Sequence, residues 1–424
     1  MRHEALFLRR ESLMTTKTVI VALDIGTTKV CTLIAQKTSK NIEILGVGSH
    51  PSHGLKKGSV VNIEKTVESI RASVEEAKLM AGIEELESAS VGIAGNHIYC
   101  FNSSGVVPVK NKEINQADVD RVVEAAKAVL IPSDREILHV IPQEFKVDNT
   151  CGIKNPIGMC GSRLEVNVHI VTGKTPLIHN LIKCVEQAGL NANSVILQPI
   201  ASSRSVLSME EKELGVVLID IGGGTTDIAV WKEGSLIHSQ IVPLGGHHFT
   251  NDLAVALKIP HNEAERIKLS HGSVLNQNHL HETYLTVQGL SGTRGREVSL
   301  GYVAEVLGAR AEELFQVVKE IIVEKNLQDQ ITGGFVLTGG GALIRHMPEM
   351  AEYILEKPVK VGYPQAFGGM TTAMQHPKFS TVLGLLQESD KFSEAVARDE
   401  KTEDESDMFD RLGKSIKNVF KEIF

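Results

Sequence analysis

A duplicated α/β fold is the architecture this sequence predicts, on three observations. The segment Thr18–Lys29 (TVIVALDIGTTK) recurs about two hundred residues later as Gly215–Asp227 (GVVLIDIGGGTTD). In each copy a β-branched apolar run, suited to a buried strand, ends in Asp-Ile-Gly, and a second β-rich segment follows: VCTLIAQ after the first, IAVWKEG after the second. A third glycine cluster, GGFVLTGGGA at 333–342, sits between a short apolar strand and the helical pattern ALIRHMPEMAEYIL. At 424 residues, 42% of them hydrophobic, the chain can bury two or more cores of domain size.

The residue types at the repeated turns carry a chemistry. Glycines and threonines between two strands let backbone N–H groups and hydroxyls approach an anion closely. A carboxylate at the end of each preceding strand, Asp24 and Asp220, suits a hydrated magnesium ion, which prefers oxygen ligands and keeps its waters. Two such hairpins facing one another clasp the phosphate tail of a nucleotide. At the third cluster, the expected helix start after the glycines offers free N–H groups and a positive dipole end, and the missing side chains admit an adenosine. Neither GxGxxG nor GxxxxGK[ST] occurs, which disfavours a Rossmann dinucleotide fold and a P-loop.

The remaining segments read as framework. Asn62 caps a helix whose Ile63, Val67, Ile70, Val74 and Ala77 share a face, closed by Gly82. Residues 116–130 read as an amphipathic helix, and ILHVIPQEFKVD and EVNVHIVTG as strands. Thr175-Pro176 opens another helix, with Leu177, Leu181, Val185 and Ala188 inward and Gly189 at its end.

Composition excludes several classes. A net charge of −8 argues against nucleic acid as a partner, since phosphate binding needs a basic surface. Five scattered cysteines without a CxxC pair suggest neither a disulfide framework nor a thiolate zinc site, and fit a reducing cytosol. The pairs His279/His281 and His247/His248 lack helical i,i+4 spacing and a carboxylate or thiolate partner at a metal-site offset. No apolar run is long enough to span a bilayer, and MRHEALFLRR is too short in its apolar core for a signal peptide. Residues 1–14 are read as an N-terminal arm or a start-site extension outside the fold.

Asp24–Lys29, Asp220–Asp227 and Thr338–Ala342 resemble the phosphate-1, phosphate-2 and adenosine motifs of the actin, Hsp70 and sugar-kinase superfamily. Leu197–Leu207 and Phe379–Leu386 resemble its two connecting helices. Within it, Leu138–Leu164 (LHVIPQEFKVDNTCGIKNPIGMCGSRL) resembles the FtsA family of bacterial cell-division proteins, and the match extends from about Thr18 to Leu386. The resemblance implies an α/β, duplicated actin-like (RNase H-like) ATPase fold with an inserted α+β subdomain, 1C, in place of actin's 1B. It divides the chain into 1A (15–95, 172–205 and 378–387), 1C (96–171), 2A (206–244 and 326–377) and 2B (245–325). The cofactors implied are ATP and Mg2+, the ion held through water by Asp24 and Asp220. Gly26, Thr27, Thr28 and Lys29 are then placed on one side of the phosphates, and Gly222, Gly223, Gly224, Thr225 and Thr226 on the other. Gly246, Glu265 and Lys268 join the site beside ribose and adenine, and Gly339, Gly340 and Gly341 line the adenosine. Gln198 falls where actin has a water-positioning glutamine; an amide orients water but cannot deprotonate it, so hydrolysis is slow at most.

Past Leu386 the composition turns acidic and polar, and residues 388–407 are read as a flexible linker. After it, Phe409, Leu412, Ile416, Val419, Phe420, Ile423 and Phe424 recur at three- and four-residue steps, while Arg411, Lys414, Lys417 and Lys421 lie off that stripe. Residues 408–424 thus read as an amphipathic helix lying in an anionic membrane surface, the other reading being a helix docked on protein. The family resemblance implies a scaffold that self-associates and anchors the FtsZ ring to the cytoplasmic face of the inner membrane at the division site. It implies that the FtsZ C-terminal peptide docks near Arg310 and Glu313, and that later division proteins are recruited through 1C. The competing readings are a PilM-like pilus-assembly homologue, an Hsp70-like chaperone and a small-molecule kinase.

Overall fold

The structure is a computed structural model that describes residues 18–38, 41–288, 295–365, 367–369 and 372–399. The first half opens with three antiparallel strands, β1 (Thr18–Ile25), β2 (Lys29–Lys37) and β3 (Ile42–Pro51). A short pair, β4 (Leu55–Lys56) and β5 (Ser59–Val60), leads into α1 (Ile63–Ala81). As its sequence dictates, the Asn62 side chain accepts the first-turn N–H of Lys65 at 3.0 Å, and Gly82 ends the helix in the left-handed region at φ 67°. β6 (Ser88–Ile93) then runs parallel to β1.

An inserted unit comes next: β7 (Tyr99–Pro108), α2 (Gln116–Lys127), β8 (Arg135–Val147), β9 (Thr150–Ile153) and β10 (Arg163–Lys174). Its sheet, in the order β7-β10-β8-β9, and α2 enclose a core of their own that includes Val122, Phe145, Leu164 and Val166. Asn115 and Asp118 cap α2 reciprocally. The helix stops at Lys127 rather than at residue 130, because Val129 and Ile131 are β-branched and Pro132 disfavours helical backbone before it.

The chain returns through α3 (Thr175–Gln187) and β11 (Asn191–Leu197), parallel to β6, and crosses to the second half by α4 (Gln198–Val206) and α5 (Met209–Leu214). There the first three strands are built again as β12 (Val216–Ile221), β13 (Thr226–Lys232) and β14 (Ser235–Val242). A helical unit intervenes: α6 (Gly246–Leu257), α7 (His261–His271), α8 (Asn278–His281), the hairpin β15 (Tyr284–Val287) and β16 (Arg296–Ser299), and α9 (Leu300–Glu324). The sheet is completed by β17 (Phe335–Thr338), α10 (Met347–Leu355) and β18 (Val359–Val361), and α11 (Ser380–Asp399) closes the described chain.

The two main sheets have the same plan. Their orders, β3-β2-β1-β6-β11 and β14-β13-β12-β17-β18, each place an antiparallel three-strand meander beside two parallel strands. The sequence echo is therefore a duplicated sheet topology.

α11 extends to Asp399, so residues 388–399 are helical here, in contrast to the irregular linker expected of that acidic stretch. Its first turns, through the buried Val382, Leu383, Leu385 and Leu386, nucleate a helix on the core, and propagation is cheap once a nucleus exists. Residues 400–424, with the predicted membrane helix, lie outside the described residues.

α11 and α4, the two connections between the halves, cross backbone to backbone. A methyl group at Gly384 would lie 1.7 Å from the Ala201 carbonyl oxygen. Gly384→Ala is therefore expected to cost about 1–3 kcal/mol by overpacking, measurable by urea denaturation.

The inserted unit is also fastened to the second half at the edge strand β14. The His169 ring is within 2.7 Å of Asn102 Oδ1 by Nδ1 and 2.8 Å of Ser239 Oγ by Nε2. The Gln143 amide donates to the carbonyls of Leu236 and Ile237, and Lys154 donates to Ser235 Oγ at 2.9 Å.

Candidate functional site

The turns β1–β2 and β12–β13 face one another across a cavity of about 630 Å3 between the halves, a size suited to a nucleotide. Thr28 lies over Gly223 and Thr27 over Gly224, so a side chain at either glycine would separate the turns. Lining the cavity are Asp24, Gly26, Thr27, Thr28, Lys29, Gln198, Asp220, Gly222, Gly223, Gly224, Thr225, Gly246, Glu265, Lys268, Gly339, Gly340 and Gly341. The fold thus brings residues from widely separated stretches of the chain to one place.

Asp24 and Asp220, at matching positions at the ends of β1 and β12, form the floor. Gln198 Nε2 donates to Asp24 Oδ1 at 2.9 Å from the first turn of α4. Thr381, in the first turn of α11, donates to Asp220 Oδ2 at 3.1 Å. Burial raises the Asp24 carboxyl above the usual aspartate range, although the Lys29 charge opposes it. Burial likewise pushes Asp220 up to about 6, with the Asp24 charge adding to the rise and hydrogen bonds from Thr381 and Ser202 opposing it.

A third carboxylate, Asp227, belongs with them. It is buried, lines the cavity, and leaves Oδ1 without a hydrogen-bond partner. Burial and then the Asp220 charge hold it well above the ordinary range. Such an arrangement is costly unless a cation shares it. Among the described residues no three acidic, histidine or cysteine groups converge to enclose a bare metal ion. The donor set suits a hydrated divalent cation such as magnesium, which Asp24, Asp220 and Asp227 would hold through water.

Gly339 explains the tight turn after β17. Its φ is 81°, and a Cβ there would lie 2.3 Å from Asp220 Oδ1, so only glycine fits beside the carboxylate. The α-helix expected directly after the glycines does not start there. A four-residue 3-10 turn, Gly340–Leu343, intervenes, and α10 begins only at Met347, after His346 at φ 63°. Three consecutive glycines carry too little helix propensity to start an α-helix, while Pro348 in the first turn favours a start at Met347.

α6 and α7 form the opposite wall. The N–H groups of Gly246 and His247 donate to the carbonyls of Gly222 and Gly223 at 2.8 and 2.7 Å, tying the start of α6 to the second turn. Lys268 is buried and donates to Gly246 O, Thr250 Oγ1 and Glu265 Oε2, the last at 2.8 Å. Burial opposes ionisation of Glu265, but hydrogen bonds from Lys268 and Thr250 outweigh it and hold the carboxyl below the ordinary glutamate range.

One placement differs from the expectations. Thr226 is not in the cavity wall: its side chain is buried and donates to Leu244 O at 2.7 Å, because strand alternation turns it away from the side that Thr225 and Asp227 face. Arg310 and Glu313 lie on α9, apart from the cavity, and the Arg310 guanidinium is forked onto Asp252 at 2.5 and 3.0 Å while also contacting Glu313. The residues expected to meet a membrane, from Phe409 to Phe424, lie outside the described residues. Sequence reasoning missed Asp227, although it closes the quoted second motif, and Thr381, although it sits in the second connecting segment. His247, next to the expected Gly246, and Arg345, just past the third glycine cluster, also reach the cavity.

The family profile "SHS2 domain inserted in FTSA" matches residues 95–172, and "Cell division protein FtsA" matches residues 217–384. Cell division protein FtsA of Pseudomonas aeruginosa is 42% identical over 410 residues, covering 95% of this chain and 98% of that protein. The Escherichia coli protein of the same name is 37% identical, covering 88% of this chain and 90% of its own length. Among solved structures, a PilM-PilN type IV pilus biogenesis complex aligns with a TM-score of 0.65 at 16% identity, covering 87% of this chain and 98% of that one. MreB5 of Spiroplasma citri bound to ADP aligns at 0.51 and 15% identity, covering 90% and 98%. The structural likenesses establish an actin-like fold. On sequence, the chain belongs to the FtsA family of cell-division proteins.

Proposed function

We propose that this cell-division protein binds ATP with Mg2+ in the cleft, self-associates, and tethers the FtsZ ring to the cytoplasmic face of the inner membrane at the division site. The observation that carries the nucleotide part is the floor of the cleft: three buried carboxylates, one of them with an orphaned oxygen, beneath two facing glycine-threonine turns. Gly26, Thr27, Thr28 and Lys29 meet the phosphates from one side, and Gly222, Gly223, Gly224 and Thr225 from the other. Magnesium supplies charge neutralisation at the phosphates when bound. Gln198, already hydrogen-bonded to Asp24, orients a water that its own amide cannot deprotonate, so ATP serves assembly more than turnover.

The membrane part rests on the stripe Phe409, Leu412, Ile416, Val419, Phe420, Ile423 and Phe424 with flanking Arg411, Lys414, Lys417 and Lys421. Family membership supports docking of the FtsZ C-terminal peptide on the 2B unit. Glu313, half of whose side chain is exposed, is the readier contact there, because Arg310 is already held by Asp252. It equally supports recruitment of later division proteins through residues 96–171. A PilM-like role draws support from the fold alone, at 16% identity.

Vesicle flotation tests this reading. The intact chain is expected to float with anionic vesicles at least about tenfold better than a chain ending at Asp407, as removal of an interfacial helix dictates. Equal flotation of the two would remove the anchor. Retention of the chain by an immobilised FtsZ C-terminal peptide, and not by a PilN-type peptide, separates the division role from the pilus role.

A further inference from the structure

We propose that Lys378, seated with Lys29 of the first turn on the ring of Phe379, adds to the wall of the cleft a phosphate-binding cation that none of the three glycine motifs contains. The inference rests on the reading of the cleft as a nucleotide site. Lys29 ends the first turn and Lys378 precedes α11, far apart in sequence, yet the Lys29 ammonium donates to the Lys378 main-chain carbonyl. Both ammonium groups approach one ring: Lys29 Nζ lies 4.7 Å and Lys378 Nζ 4.9 Å from the Phe379 centroid. The ring itself is buried, and both lysines and His376 line the cavity.

The charges are unevenly spent. Among the described residues neither ammonium forms an ion pair, whereas Lys268, the other lysine of the cavity, is paired with Glu265. Burial, and then the charges of Lys378 and Lys29, hold His376 below the usual histidine range, so the positive charge here belongs to the two lysines. Two cations sharing one aromatic ring repel each other, and the ring attraction of each is modest. An anion bridging them relieves that repulsion. Of a nucleotide's parts only the phosphate chain supplies such an anion; base and ribose are neutral. The Lys29 bond to the Lys378 carbonyl holds the second lysine where the first turn already gathers phosphate oxygens.

The experiment is titration of the full-length chain with ADP and Mg2+, by calorimetry, in the wild type, Lys378→Ala, Lys378→Arg and Phe379→Leu, with melting of the free proteins as the folding control. Expected are about a tenfold loss of affinity in Lys378→Ala, substantial recovery in Lys378→Arg, and about a threefold loss in Phe379→Leu, which removes the ring that seats both ammonium groups. ADP affinity of Lys378→Ala within about twofold of wild type overturns the proposal. So does an equal loss in the alanine and arginine variants, since charge would then not be what matters. A wild type that binds no ADP instead refutes the nucleotide reading, and this proposal with it.

Discussion

Asp220→Asn is expected to weaken magnesium-dependent ATP binding by about 100-fold or more, equivalent to about 2.7 kcal/mol, while leaving the free protein at least as stable as the wild type. The two halves of that result have one cause. Asp220 is buried at the floor of the cleft beside Asp24 and Asp227, and its carboxyl is pushed up to about 6 by burial and by the neighbouring Asp24 charge. Near pH 7.5 and without a cation, its charge is a burden on the fold. With a hydrated divalent cation the same charge is the attraction that holds the ion. Asparagine keeps an oxygen to accept from Thr381 and removes only the charge. Calorimetric titration with and without Mg2+ checks the first half, and denaturation of the ligand-free protein checks the second. Unchanged ATP affinity in the presence of Mg2+ would overturn the assignment of Asp220.

The second large effect is loss of stability on mild acidification, traced through His169. This ring is fully buried where the inserted sheet meets β14, and burial, followed by the charges of His238 and His139, lowers its pKa to about 3. A histidine depressed in the folded state, against an ordinary value of about 6.5, contributes stability that is present above 6.5 and is lost as pH falls toward the folded pKa. The unfolded chain takes up the proton first. From pH 7.5 to pH 5 this one group accounts for about 2 kcal/mol. Buried carboxylates with raised pKa, such as Asp220, work in the opposite direction over the same range, so the informative quantity is a difference between proteins. His169→Asn is expected to be less stable than wild type at pH 7.5, because the contacts to Asn102 and Ser239 are disturbed, and the gap is expected to close by about 2 kcal/mol at pH 5. Parallel stability curves from pH 7.5 to pH 5 would contradict it.

Much of the architecture was legible in the residues because it depends on local chemistry. The paired DIG turns announced strand, turn and strand twice, and the two sheets have one topology. The Asn62 cap, the Gly82 stop and the start at Thr175 were each written in the residue that makes them. Boundaries set by competition were harder to read. The stop of α2 at Lys127, the 3-10 turn in place of a helix start after Gly339, and the continuation of α11 to Asp399 each depend on how neighbouring segments nucleate or end a helix.

The sequence by itself determined that two glycine-threonine turns with preceding aspartates exist and that their strands are alike, since periodicity and turn chemistry are properties of adjacent residues. Only the tertiary structure decided that Thr226 points into the protein interior and that Asp227 joins the floor. It alone placed Thr381 on Asp220 and Lys378 beside Lys29, because those contacts join residues separated by 161 and 349 positions. No local pattern encodes such a pairing; it arises when buried sheets and crossing helices fix which surfaces meet.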